Sequence, residues 1–394
     1  MTEHQHLVAG RERLDAAMAG RSAWPERSPW LREAVAVLPR DGFAPDRLWR
    51  WDGRAYVPVD RAVDPAGWAG ELYADQDAAA VTQVTGGLPT SSLSAQAVVV
   101  DMLDSLLLEP GHRVWDVGTG QGWSAAIAGW RAGPGRVVST ELDPALAAFA
   151  RGRLAAAGVD VEMLVADGSA GRPPGRFDRV HATYAVERVP WAWVEATVPG
   201  GRIVYPWGRL GHVALTVAAD GRSASGWVQG LAQFMPDRGP AAGAGPGAGG
   251  PAAGYAQVRG DGPPETEHRV ERDLVPLCED WDLRFALRVA VPDAVFTTAV
   301  DEDGTSAWVH DGARSWAALS AAGGGTVVVH QGGPRRLGDE VLAAWDQWTG
   351  LGRPSRYDYG ITVTPGVQWV WVGDAATGPR WPVGRAAAAP AAVG

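Results

Sequence analysis

Residues 114–127 read VWDVGTGQGWSAAI. An apolar run carrying one acid, Asp116, gives way to glycines at 118, 120 and 122 and then to small residues that suit a helix. Glycine removes the Cβ atoms where a strand turns into a helix, so a ligand can lie against the main chain and meet N–H groups at the helix start. The same turn can also serve packing alone, so its neighbours decide the reading.

Those neighbours alternate. Helical patterns cover residues 94–107, 123–131 and 144–156, and strand patterns cover 113–117, 136–140, 161–165 and 177–182, followed by GGRIVYPWG at 200–208. Alternation of this kind predicts an α/β fold, a doubly wound, Rossmann-like parallel sheet with helices on both faces. Such sheets bind ligands at the carboxyl ends of their strands.

Dinucleotide enzymes use G-x-G-x-x-G at this turn, whereas S-adenosylmethionine methyltransferases use an acid followed by G-x-G-x-G. Here the spacing is G-T-G-Q-G with Asp116 two residues ahead, which favours S-adenosylmethionine, whose sulfonium and ammonium groups are cationic. At the end of the next strand, STELDP places Glu141 where a carboxylate can accept from both ribose hydroxyls. At the end of the third, VADGSAG supplies Asp167 for the adenine amine and Gly168 to leave room for the ring. Each has a plainer reading, a solvated strand-end charge or an Asp-Gly turn, but three matches in this order make coincidence a poor explanation. Thr119 and Leu142, beside these positions, complete the candidate cofactor contacts.

The rest of the chain sets limits. Its 394 residues suit two or three domains at roughly 100 to 200 residues each. A formal net charge of -10 argues against a protein that holds nucleic acid by neutralising phosphates. The N-terminus lacks an apolar core for a signal sequence and no run is long enough to span a bilayer, so a cytoplasmic protein with no membrane partner is expected. Cys278 is the single cysteine and reads as a core filler; His4 and His6 fall in a terminus expected to fray, and no histidine spacing suits a metal. Twenty tryptophans against six phenylalanines is unusual but decides nothing alone.

Composition also marks boundaries. Residues 1–80 read as a helix and an aromatic-rich hairpin that cap something, and 81–236 as the ligand-binding domain. Residues 237–257, almost wholly Pro, Ala and Gly, read as a linker. Residues 258–394 read as an α+β domain with short strands, turns at Asp311-Gly312 and Pro365-Gly366, and a helix at 337–349 on which Leu337, Val341, Leu342, Trp345 and Trp348 share a face.

The region from about residue 30 to 220 resembles the protein-L-isoaspartate (D-aspartate) O-methyltransferases. The resemblance rests on VTQVTGGLPTSSLSAQAVVVDML, VWDVGTGQGW, ELDP, VADGSAG and FDRVHATYAVERVPWAWVEATVPGGRIVYPWG. In that family a serine in the loop before the helix lies beside the acceptor carboxylate. Aligning on Met102-Leu103 gives that position to Ser94, while the family's following proline is Gln96 here. Ser91 or Ser92 are the alternatives, and a serine here can equally cap the helix. The resemblance also puts the peptide near Val84, Thr85 and Tyr184.

A carboxylate of ordinary pKa, roughly 4, is already ionised at neutral pH, so no general base is expected and Ser94 is assigned an orienting role. Residues 258–385 exceed the repair-type layout and are similar to long actinobacterial members that modify ribosomally made peptides such as lanthipeptides, graspetides and imiditides. The expectation is therefore an enzyme that methylates a peptide aspartate, gives a methyl ester that closes to an aspartimide and can hydrolyse to isoaspartate, and so tailors a precursor. General isoaspartyl repair is the alternative; a catalytically silent S-adenosylmethionine sensor and a small-molecule methyltransferase are further ones. The peptide and the oligomeric state stay open.

Overall fold

A computed structural model describes residues 2–208, 210–239, 254–302 and 304–383. The chain divides into two units, residues 1–224 with 229–241, and residues 225–228 with 242–394.

The first unit opens with α1 (Glu3–Gly20), which corrects the expectation of a frayed terminus. Thr2 and Gln5 form a capping box at its start, and Leu7, Leu14 and Met18 recur on one buried face, so both the end and the side of the helix are satisfied. Next come α2 (Trp30–Val37), the expected hairpin β1 (Arg47–Trp51) and β2 (Tyr56–Asp60), and α3 (Pro65–Leu72). A second hairpin, β3 (Ala80–Thr85) and β4 (Leu88–Leu93), joins it in a sheet of order β2-β1-β3-β4. The side chains of this N-terminal region share one apolar core with the region that follows, from Leu7 and Trp68 through Leu103 to Trp123 and Val204.

After α4 (Gln96–Ser105) the alternation begins: β5 (Val114–Val117), α5 (Trp123–Ala132), β6 (Val137–Glu141), α6 (Pro144–Ala156), β7 (Val161–Val165), β8 (Phe177–Ala182), α7 (Trp191–Ala196), β9 (Thr197–Trp207) and β10 (Gly211–Val217). Within this unit their order is β10-β9-β8-β5-β6-β7, parallel from β9 to β7, with β10 antiparallel to β9. The chain runs outward from β5 through β6 to β7 and then returns to β8 on the other side of β5. The winding therefore reverses between β5 and β8, which opens a crevice at their carboxyl ends. All of β5 is buried, as expected of a central strand covered on both faces.

The second unit takes in residues 225–228 of β11 (Ala224–Gly230), then α8 (Tyr255–Arg259), β12 (Thr266–Glu271), α9 (Val275–Glu279), α10 (Trp281–Ala290), β13 (Val295–Asp301), β14 (Gly304–His310), β15 (Trp316–Ala321), β16 (Thr326–Gly332), α11 (Leu337–Gly350), β17 (Tyr359–Val363), β18 (Gln368–Val372) and β19 (Arg380–Pro382). An antiparallel sheet of order β12-β16-β15-β14-β13 carries α11 on one face, with Leu337, Val341, Leu342, Trp345 and Trp348 all buried. At the β14–β15 turn, Asp311 Oδ1 accepts the N–H groups of Ala313, Arg314 and Ser315. Cys278 is half-buried on α9. Of the expected linker, residues 240–253 lie outside the described residues; Asp237 and Gly239 belong to the first unit, and Tyr255 starts α8 in the second.

Candidate functional site

A cavity of about 370 Å³ opens at the carboxyl ends of β5, β6 and β8. Its walls come from the glycine turn, the serine strand β4 and the segment Gln233–Arg238. The turn itself is built from backbone conformation: Gly118, Gly120 and Gly122 have φ of 86°, 55° and 91°, which side chains on L residues resist. A Cβ on Gly118 would fall 2.6 Å from Tyr184, and one on Gly122 would press on Ala150 of α6 at 3.3 Å. A Cβ on Gly120 would meet nothing within 4 Å, so that residue leaves open space in the cavity wall.

The turn offers shape more than donors. The N–H groups of Gly118 and Thr119 go to Thr140 O (2.8 and 3.1 Å), that of Gly122 to Thr119 O (2.9 Å), and that of Gly120 to Glu141 Oε2 (2.8 Å). These bonds leave the first N–H groups of α5 (Trp123–Ala132), beyond Gly122, as the donors at the helix start, and Trp123 and Ser124 line the cavity. Glu141 is 5% exposed and its other oxygen accepts from Asp143 N–H at 3.0 Å. Each carboxylate oxygen can accept twice, so both retain capacity toward the cavity.

Asp167 offers an acceptor suited to a ligand's N–H. Its Oδ1 accepts from the N–H groups of Ser169 (2.8 Å) and Ala170 (3.3 Å), while Oδ2 is buried with no partner among the described residues. An unpaired buried acceptor costs about 1–3 kcal/mol. Gly239 closes over it, since a Cβ there would lie 2.5 Å from Oδ2. An N–H donor such as an adenine amine fits that oxygen, so the residues present suit the expected cofactor. Gly168 lines the cavity and also has a packing reason to be glycine, since a Cβ on it would lie 2.3 Å from Val117 Cγ1 on β5.

Asp116 is not in the cavity wall. It is fully buried beneath the turn, accepting from Ser139 Oγ at 2.6 Å and facing His181 Nδ1 at 3.2 Å. Ser139 Oγ lies in turn 2.6 Å from Thr119 Oγ1, so Asp116 reaches the turn through two hydroxyls rather than by touching a cation. Thr119 and Leu142 both line the cavity.

Ser91, Ser92 and Ser94 all face the cavity. The first residue before α4 is Ala95 and no side chain caps that helix, so Ser94 is free of the capping role. Its hydroxyl has no partner among the described residues. Its carbonyl, with those of Leu93 and Leu72, is held by the Arg40 guanidinium at 2.9, 3.2 and 2.9 Å. Burial pulls Arg40 down to about 10, low for an arginine but still charged at neutral pH. Gln96, at the family's proline position, is buried and donates to Met18 Sδ of α1 at 3.0 Å. Tyr184 lines the cavity with its side chain, its hydroxyl 2.8 Å from Ser169 Oγ and its pKa raised by burial. Val84 and Thr85, by contrast, sit at the far end of β3, paired with Pro89 and Leu88, away from the cavity wall.

Sequence reasoning missed Arg40, Gln121 and the wall residue Asp237. No described helix is long and apolar enough to cross a membrane, and no group of three or more His, Cys, Asp or Glu among the described residues is arranged for a metal ion.

Residues 59–228 match the family model for protein-L-isoaspartate(D-aspartate) O-methyltransferase. A protein-L-isoaspartate O-methyltransferase of Methanopyrus kandleri is 34% identical over 190 residues, covering 46% of this chain and 70% of the relative. One of Methylorubrum populi is 35% identical over 187 residues, covering 46% and 79%. Among solved structures, a protein-L-isoaspartate O-methyltransferase shares the fold over 92% of this chain and 100% of its own, with a TM-score of 0.50 at 16% identity.

Proposed function

The chain belongs to the protein-L-isoaspartate(D-aspartate) O-methyltransferase family of S-adenosylmethionine-dependent carboxyl methyltransferases, and on that premise we propose that its acceptor is the free carboxylate of an isoaspartyl residue in a peptide. The observation that carries this reading is Ser94, whose hydroxyl has no partner among the described residues and which lines one cavity with the glycine turn, Glu141 and Asp167. In this reading Asp167 Oδ2 accepts the adenine amine, Glu141 accepts the ribose hydroxyls, and Gly120 leaves the space they need. When bound, S-adenosylmethionine supplies a methyl group made electrophilic by its sulfonium.

The chain's own residues then have one task, to hold an already ionised carboxylate in line and keep water out. Ser94 donates a hydrogen bond to one carboxylate oxygen, and Arg40 fixes the Ser94 backbone. That is an effect of proximity and orientation, and no side chain needs to take up a proton. Incubation with S-adenosylmethionine and paired Asp and isoAsp forms of a short peptide tests the reading by mass spectrometry. A methyl gained on the isoAsp form alone supports it; turnover of neither peptide would sink it and leave a precursor-specific enzyme, a cofactor-binding module or a small-molecule enzyme.

A second reading is favoured by residues beyond 228, which the family match does not reach. In it the second unit recognises a ribosomally made precursor and the acceptor is an unmodified Asp. The following backbone nitrogen then attacks the ester carbonyl, methanol leaves, and an aspartimide forms that water can reopen to Asp or isoAsp. The fold likeness to a solved protein-L-isoaspartate O-methyltransferase over 92% of the chain weakens the inference from size alone. Methylation or loss of water on a precursor Asp, with isoAsp peptides left untouched, is the outcome that separates this reading from the first.

A further inference from the structure

Gln121, the middle residue of G-T-G-Q-G, is 4% exposed and lines the cavity. Its amide nitrogen lies 2.9 Å from Thr82 Oγ1 on β3 and 3.3 Å from Ser91 Oγ on β4. Its Oε1 is buried with no partner among the described residues. The side chain thus ties the glycine turn to the serine strand: two hydroxyls anchor the amide nitrogen, and the amide oxygen of this cavity-lining residue is buried without a partner among the described residues.

A buried oxygen of this kind calls for an N–H donor. The acceptor carboxylate has none to give. The main-chain amides on either side of it do, and they must pass the serine strand for the carboxylate to reach Ser94. We propose that Gln121 is a positioning residue for the acceptor, its Oε1 accepting one of the two peptide N–H groups that flank the methylated carboxylate. The proposal rests on the carboxyl-methyltransferase reading above. It gives the site a way to select a carboxylate embedded in a peptide over a free one, because a simple carboxylic acid would leave Oε1 unpaired. A site that loses the partner of a buried polar group discriminates strongly against the poorer substrate.

The test combines Gln121→Met with three substrates: an isoaspartyl peptide and two analogues in which one or the other flanking N–H is replaced by an ester oxygen. In the wild-type protein one analogue is expected to lose about tenfold in kcat/KM, the size of one hydrogen bond to a buried neutral acceptor. Gln121→Met should lose about tenfold on the amide peptide and nothing further on that analogue, with affinity for S-adenosylhomocysteine unchanged. An equal loss on all three peptides overturns the proposal. So does a matching loss of S-adenosylhomocysteine affinity, which would make the cofactor's ammonium the donor. Absence of wild-type turnover on every peptide is recognisable separately, as failure of the underlying reading, and removes the proposal with it. Should Gln121→Met not fold, Thr82→Val removes the shorter of the two anchors on the amide nitrogen and is expected to show the same pattern at smaller amplitude.

Discussion

At the residue scale the proposal separates groups assigned to hold a ligand from groups that hold the site. Ser94→Ala should lower kcat by about tenfold while leaving S-adenosylhomocysteine affinity unchanged, as expected for a donor that acts on the acceptor alone. Calorimetry beside steady-state kinetics checks this, and an equal loss in cofactor affinity would reassign the serine. The places of Glu141, Asp167 and Ser94 beside one cavity were legible in the sequence because each stands at the end of a strand or beside a helix start, where the local pattern fixes its place. Arg40 was not, since its three carbonyl partners lie 32, 53 and 54 residues away and only the fold brings them together. Asp116 was legible as important and misread in action: periodicity puts it on β5, but only coordinates show Ser139 and His181 covering it.

At the element scale, the junction between β4 and α4 depends on one buried cation. Arg40→Met keeps the volume roughly constant but strands the carbonyls of Leu72, Leu93 and Ser94. A loss of about 2–4 kcal/mol in urea unfolding is expected, together with a raised KM for the peptide. A stable variant with unchanged KM would show that the clamp does not set the serine's position. In the second unit, Trp345→Ala on α11 should cost about 3–5 kcal/mol, because the residue is 7% exposed; a change under about 1 kcal/mol would place that face outside the core. Helices and strands with a clean period were read to within two residues, as α6 and β7 show. The helix α1 was missed because only Leu7, Leu14 and Met18 mark its buried face, among charges that resemble a solvated tail.

At the scale of the whole molecule, pH acts through the N-terminal region. Burial alone would raise the Asp41 carboxyl, but hydrogen bonds from Arg11 at 2.6 and 2.8 Å and from Tyr73 outweigh it, and the group titrates below its ordinary range. The stabilisation is present above the unfolded value of roughly 4 and is lost as pH falls through the lower folded value. Arg11 is 38% exposed, so solvent screening keeps the contribution small, about 1 kcal/mol or less. Asp41→Asn should therefore be less stable than wild type at neutral pH, with the gap narrowing as pH falls below the ordinary carboxylate range; a gap that does not narrow would assign it to packing. The division of the chain was legible only in outline. A Pro/Ala/Gly tract marks where composition changes, yet four residues of β11 that precede it, 225–228, cluster with the second unit, because strand pairing follows space and not sequence order. The orphaned oxygen of Asp167 has a last consequence, for anyone who engineers this protein. Asp167→Ser keeps a short acceptor for the Ser169 N–H but removes the unpaired oxygen under Gly239, so it should melt a few degrees higher when empty and bind S-adenosylhomocysteine less tightly. A heat-tolerance screen run without ligand would thus enrich for proteins that had discarded their purpose.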